Sequence, residues 1–189
     1  AYDVCGKIVV ATHEDELSRL ESIKENGIKN GLKGIEVIDA ESIKEIEPFI
    51  DGIKALWVPE SGIIDYKGVT IKLAELIKEI NPDSDIITNC EAKRFEKGEL
   101  SLIHTNLGVV TSRYLVFCGG LHSDRLARKD QVKLDMRIVG FRGDYYDLTE
   151  IGMKKIRNLV YPVPNPEFPF LGVHFTRLTD GTIECGPNA

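Results

Sequence analysis

His174 and Arg177 stand three residues apart in the stretch from Phe168 to Asn188, which reads FPFLGVHFTRLTDGTIECGPN. An imidazole titrates near neutral pH and can take or give a proton there. A guanidinium keeps its charge and can grip a carboxylate through two parallel N–H groups. A strand, the Asp180-Gly181 turn and a second strand ending in GPN predict a β-hairpin, and a hairpin carrying these two groups forms a floor for an acidic substrate. Strict alternation sets His174 with Thr176 and opposite Arg177, so the two converge only if Arg177 lies at a strand end and bends round. Ala189 follows almost at once. Site-like residues this close to the end lead us to expect a piece of a larger enzyme.

Two other stretches hold groups of the same kind. Thr111 to Leu126, TSRYLVFCGGLHSDRL, is an apolar run that stops at Gly119-Gly120 and opens into a helix. Glycine there lets the backbone approach a bulky ligand, and N–H groups at a helix start favour phosphate. A tight strand–helix turn needing a positive φ accounts equally for the glycines. In Phe141-Arg142-Gly143-Asp144-Tyr145-Tyr146, an arginine inside a strand is costly unless it is solvated, paired or aimed at a ligand. Pairing with Asp144 is the alternative to a site wall. GxGxxG, P-loop, GxSxG and HExxH are all absent from the sequence.

Composition bounds these readings. The chain has 189 residues, 42% hydrophobic and 29% charged, with a net charge of −6, the profile of a soluble domain with a real core. Lysines and arginines are scattered among glutamates, so no stripe invites nucleic acid. No apolar run approaches the roughly 20 residues that cross a bilayer, and no leader is recognisable. Cys5, Cys90, Cys118 and Cys185 form no CxxC or zinc-like pair. They read as small buried side chains in a reducing compartment, which predicts a cytoplasmic protein without metal.

The positioning elements follow from periodicity. Val4 to Ala11 reads as a strand, and Thr12 with Asp15 caps a helix that Asn26-Gly27 ends. Ile35 to Ile38 is a strand, Asp39 caps the helix AESIKEIE, and Ile53 to Val58 is the next strand. Val69, Leu73, Leu76, Ile77 and Ile80 share one helix face. Asp85 to Thr88, Ala92 to Phe95, Leu100 to Thr105 and Val109-Val110 read as strands. Tyr114 to Cys118 reads as a strand buried on both faces, followed by a short helix to Lys129. Met136 to Leu148 alternates as one long strand, with a bulge or close approach at Gly143. Tyr161-Pro-Val-Pro-Asn-Pro reads as an ordered loop. About a dozen strands largely segregated from four or five helices predict an α+β fold.

At VPESGIIDY, FCGGLHSDRL, FRGDYYDL, LVYPVPNP and FPFLGVHFTRLTDGTIECGPNA, in this order, the chain resembles the L-2-hydroxyglutarate oxidases and dehydrogenases. These are flavoproteins of the glycine oxidase and D-amino acid oxidase group, and CGKIVVAT near the start fits as well. The resemblance covers nearly the whole chain. It implies the central part of such an enzyme, with a mixed or antiparallel substrate-domain sheet. Residues 1–66 and 131–189 would be substrate-domain segments, and 67–130 an inserted part of the FAD-binding domain. The family's opening GxGxxG unit is not among these residues, so the isolated chain is expected neither to hold FAD nor to turn over. The implied reaction oxidises L-2-hydroxyglutarate to 2-oxoglutarate, with FAD taking the hydride and an unidentified acceptor the electrons.

The resemblance further implies His174 as base. Arg142 and Arg177 would clamp a small dicarboxylate, and Tyr145 and Tyr66 would donate hydroxyls. Cys118, Gly119, Gly120, Ala92 and Asn188 would approach the FAD. A flavoprotein acting on another small acid, an amino acid or glycerol 3-phosphate is the neighbouring reading. A non-catalytic carboxylate-binding module is the reading from a different class. Membrane association of a full-length protein stays open.

Overall fold

The run KIVVA at residues 7–11 is apolar on both faces, and the chain is built around it. In a computed structural model that describes residues 1–168 and 170–188, this run is a central strand. Pro169, inside the closing block, and Ala189 lie outside the described residues. In chain order the elements begin with β1 (Tyr2–Asp3), β2 (Lys7–Ala11), α1 (Leu17–Lys29), β3 (Glu36–Asp39) and α2 (Ala40–Ile46). There follow β4 (Lys54–Val58), β5 (Ile63–Ile64), α3 (Tyr66–Ile80), β6 (Ala92–Glu96), β7 (Ser101–Thr105) and β8 (Gly108–Ser112). The last are α4 (Ser123–Lys129), β9 (Asp144–Asp147), α5 (Glu150–Met153), β10 (Leu159–Pro162), β11 (His174–Arg177) and β12 (Ile183–Asn188). The architecture is α+β, as expected.

The chain divides into a first unit, Ala1–Leu73 with the chain from Arg142 onward, and a second, Ala74–Phe141. The first unit holds a seven-stranded sheet in the order β3-β4-β2-β10-β11-β12-β9. Its pairs are antiparallel except β2 with β10, which run parallel. Alternation sends Ile8 and Val10 to one side of β2, where Ile43, Ala55, Val160 and Ile183 join them. Val9 and Ala11 face the other side with Leu20, Leu56 and Val163. The second unit carries a three-stranded antiparallel sheet, β6-β7-β8.

Local chemistry sets the ends of the elements. Asp39 accepts a hydrogen bond from the Ser42 backbone N–H at 2.9 Å and caps α2. Glu16, rather than Asp15, reaches back to the start of the first helical turn. Its carboxylate accepts from the backbone N–H groups of Thr12 at 2.7 Å and His13 at 3.1 Å.

Five expectations are corrected, the first being that α1 runs through Asn26-Gly27 to Lys29 rather than ending there. Tyr114 to Cys118 is irregular, with Tyr114 and Val116 mostly exposed. The run has strand chemistry, yet no described strand pairs with it, and an unpaired strand has no ladder to hold it. Asp85 to Thr88 is not a strand either. Of Met136 to Leu148 only Asp144–Asp147 pairs, against β12. The Arg128 guanidinium and the Asp124 carboxylate instead bind the backbone of Met136 and Ile138. Finally, Tyr161 and Pro162 belong to β10, because Pro162 sits at the strand end, where a missing N–H costs little.

Candidate active site

His174 opens β11 and is one of few buried polar side chains, with 5% of its surface exposed. Its Nδ1 lies 2.8 Å from the Gly172 carbonyl oxygen. A carbonyl can only accept, so Nδ1 carries the proton and the lone pair of the neutral ring is on Nε2. Among the described residues Nε2 has no hydrogen-bond partner. The ring stacks on Tyr161, with centroids 4.1 Å apart and planes at 15°. Tyr145 meets it edge-on at 6.2 Å. One nitrogen is fixed and the other available, an arrangement able to take a proton.

The register produces the stack. Val160 pairs with Phe175 across antiparallel β10 and β11, which sets Tyr161 opposite His174 on the next rung. Lys7, from β2 on the other side of β10, places its ammonium 5.2 Å from the centre of the Tyr161 ring.

Tyr161 also lines a cavity of about 410 Å³, together with Asp65, Tyr66, Thr176, Arg177 and Asp180. The structure thus brings Tyr66 and Arg177 to one cavity, whose tyrosine wall touches His174. Arg177 ends β11 and lines this cavity beside Thr176, whereas His174 is not among the lining residues. Its Nη1 donates to the Arg157 carbonyl at 2.7 Å, and Nη2 lies 3.5 Å from Asp3 Oδ2. A guanidinium has five N–H donors, so these two contacts leave others for a ligand. Burial pushes the nearby Cys5 thiol up, and the Arg177 charge opposes that shift.

Other expected residues lie elsewhere. Arg142 is largely exposed and its Nε donates to Asp144 at 2.7 Å, the pairing weighed as the alternative to a site wall. It does not line the Arg177 cavity. Asn188 lies at the end of β12 and lines a separate pocket with Phe168, Phe170 and Leu171. In the second unit, Ala92 and Gly119 line a cavity of about 490 Å³ with His122, Arg125 and Lys129. Gly120 follows at φ +51° with open space where a side chain would stand. Against the expectation of buried cysteines, Cys118 is an exposed free thiol and Cys5, Cys90 and Cys185 are only partly buried. No group of residues that could hold a metal occurs among the described residues, and no described helix is long and apolar enough to cross a membrane.

Sequence reasoning missed Tyr161. Its signal was the apolar run Leu159-Val160-Tyr161 ahead of the first proline, which the proline-rich continuation obscured.

The family model for FAD dependent oxidoreductases (DAO) matches residues 1–189. The L-2-hydroxyglutarate dehydrogenase of Indibacter alkaliphilus is 40% identical over 190 residues, covering 100% of this chain and 47% of that protein. The mitochondrial L-2-hydroxyglutarate dehydrogenase of Homo sapiens is 37% identical over 202 residues, covering 100% and 43%. The chain therefore spans about half the length of the curated relatives it matches. Among solved structures, the L-alpha-glycerophosphate oxidase of Mycoplasma pneumoniae with FAD bound superimposes with a TM-score of 0.77 at 24% identity. That alignment covers 97% of this chain and 49% of that one. At this identity the likeness concerns the fold.

Proposed function

The chain belongs to the family of FAD dependent oxidoreductases, and on that premise we propose that it is the central portion of an enzyme oxidising L-2-hydroxyglutarate to 2-oxoglutarate. The observation that carries this reading is the 40% identity to an L-2-hydroxyglutarate dehydrogenase along the entire chain.

The residues of the second unit fit part of the cofactor. Arg125, Lys129 and His122 line the cavity of Ala92 and Gly119 beside one acid, Glu91, and the two fixed cations suit a diphosphate. Gly120 leaves room for a close approach. FAD, when bound, supplies the two-electron acceptor for the hydride.

In the first unit His174 takes the hydroxyl proton at Nε2, which drives electron density toward the C–H bond that must break. The tautomer needed is the one its bond to Gly172 sets. Arg177 neutralises a carboxylate of the dicarboxylate substrate in the cavity it shares with Tyr66. Arg142 serves as a second clamp on release from Asp144, and Tyr145 keeps the imidazole edge in place. Asn188 and Cys118 remain assigned to the cofactor's surroundings, and the electrons leave to a redox acceptor.

The test is anaerobic flavin reduction in the full-length protein with L- and D-2-hydroxyglutarate, amino acids and glycerol 3-phosphate. Rapid bleaching by the L acid alone is expected, and rapid bleaching by another member of the panel would reassign the substrate. Replacing His174 with Ala should slow reduction on the order of 100-fold or more. Reduction at the wild-type rate would remove His174 from the reaction.

A further inference from the structure

We propose that Tyr161 is a positioning residue for His174: its ring fixes the plane of the imidazole, so that Nε2 is presented in one direction. This rests on the reading of His174 as the base.

The hydrogen bond from Nδ1 to the Gly172 carbonyl holds one atom of the ring. A single bond of this kind leaves the imidazole able to swing about it, because the histidine χ2 torsion is broad. The parallel stack on Tyr161 at 4.1 Å and 15° removes that freedom, and the edge of Tyr145 closes the other approach. The three restraints come from three segments: the stretch before β11, β10 and β9.

Tyr161 is itself well held. It pairs with Val9 in the parallel β2–β10 ladder and packs on the face of the sheet that holds Val9, Ala11 and Leu20. Lys7 reaches over its ring from β2. The ring therefore ties β2 to the imidazole, and it is also a wall of the cavity that holds Tyr66 and Arg177. A base fixed to the same wall that shapes the substrate cavity keeps its nitrogen in register with the bound hydroxyl. Orientation of this kind is worth much of a proton-transfer rate, since a displacement of about 1 Å can cost on the order of 100-fold.

The experiment uses the full-length, FAD-loaded protein and a double-mutant cycle on the rate of anaerobic flavin reduction by L-2-hydroxyglutarate. Tyr161→Leu is expected to lower that rate at least tenfold, with a much smaller change in substrate affinity. Tyr161→Phe keeps the ring and is expected to stay within about twofold of wild type. In a His174→Ala background, Tyr161→Leu is expected to cause little further fall, because the ring acts through the imidazole.

A second readout is independent of turnover. The His174 ring protons, followed by NMR after histidine-selective labelling, should be shifted upfield by the tyrosine ring current in the wild type and in Tyr161→Phe. In Tyr161→Leu they should return toward ordinary positions.

Wild-type reduction by Tyr161→Leu beside a slow His174→Ala would overturn the positioning role and leave His174 as base. So would equal, additive falls in both backgrounds, which would mark Tyr161 as packing or substrate wall only. A His174→Ala protein as fast as wild type would overturn the base itself, and with it the catalytic purpose of the stack.

Discussion

Glu47 and Asn158 lie 111 residues apart and are joined inside the first unit by two hydrogen bonds to one carboxylate oxygen, from the Asn158 backbone and side chain. The Arg157 N–H donates to both oxygens of the same group, at 2.9 and 3.1 Å. Glu47 is fully buried, and burial pushes its carboxyl up while these hydrogen bonds oppose the shift. The carboxylate thereby fixes the two residues that lead into β10, four and three positions before Tyr161.

Removing that acceptor strands buried N–H groups. Glu47→Ala in the full-length protein should cost about 2–3 kcal/mol of stability, read as a lower denaturant midpoint. Glu47→Gln keeps one acceptor oxygen and should cost less. Equal midpoints for Ala and wild type would show that water or a rearranged loop satisfies Arg157 and Asn158.

Asp39 makes a prediction about pH. Hydrogen bonds from the backbone and side chain of Ser42 hold its carboxyl below the usual range. The fold therefore favours the ionised form, so the cap is at full strength above the unfolded pKa of about 3.9. It is lost as pH falls through the lower folded value. Asp39→Ala should lower the thermal midpoint at pH 7, and the gap from wild type should close on acidification below pH of about 4. A gap that stayed constant with pH would mean that the ionised carboxylate is not what caps α2.

These relationships explain which parts of the fold were legible in the sequence. The β2 run, the Asp39 cap and the Asp180-Gly181 hairpin are local patterns, and each appears where periodicity and turn chemistry set it. Tyr114 to Cys118 carries the composition of a buried strand, but a strand is a relation between two segments, and no described strand supplies the other. The site was half visible. His174 and Arg177 stood out by type, but only Arg177 lines the cavity, and His174 meets it through the Tyr161 ring. The Tyr161–His174 contact depends on the register between β10 and β11, which sets two residues 13 positions apart side by side, and no single-segment pattern reports that. The fixed tautomer needed the Gly172 carbonyl, which is invisible in side-chain chemistry.

Arg177 has two claims on it, as strut and as clamp. Arg177→Lys keeps the charge but loses the fork that meets Asp3, the Arg157 carbonyl and a carboxylate together. We expect substrate affinity to weaken on the order of tenfold. Asp3→Asn removes only a half-exposed ion pair, worth less than about 1 kcal/mol, and should leave affinity unchanged. A lowered melting temperature with unaltered affinity in Arg177→Lys would make the residue a strut alone. Arg142→Lys, measured beside it, should weaken affinity only if Arg142 leaves Asp144 on binding.

Gly186 faces His174 across β11 and β12. A methyl group added there would stand 2.6 Å from Tyr145 Cδ1 and 2.8 Å from the Asp144 carbonyl oxygen. The tyrosine ring could turn aside, but the backbone oxygen of β9 can yield only by disturbing the β9–β12 pairing. Gly186→Ala should therefore cost about 1–3 kcal/mol and, by displacing Tyr145 from the His174 edge, also slow flavin reduction. Gly181→Ala is the informative contrast. Its residue sits at φ +91° in the hairpin turn with open space around it, so the cost is backbone strain of about 1–2 kcal/mol without a clash at Tyr145. Thermal melts should show both losses, while stopped-flow flavin reduction should separate them, falling for Gly186→Ala and holding for Gly181→Ala. Equal rates in the two variants would show that Tyr145 does not restrain the imidazole, and would leave Gly172 and Tyr161 as the groups that orient it.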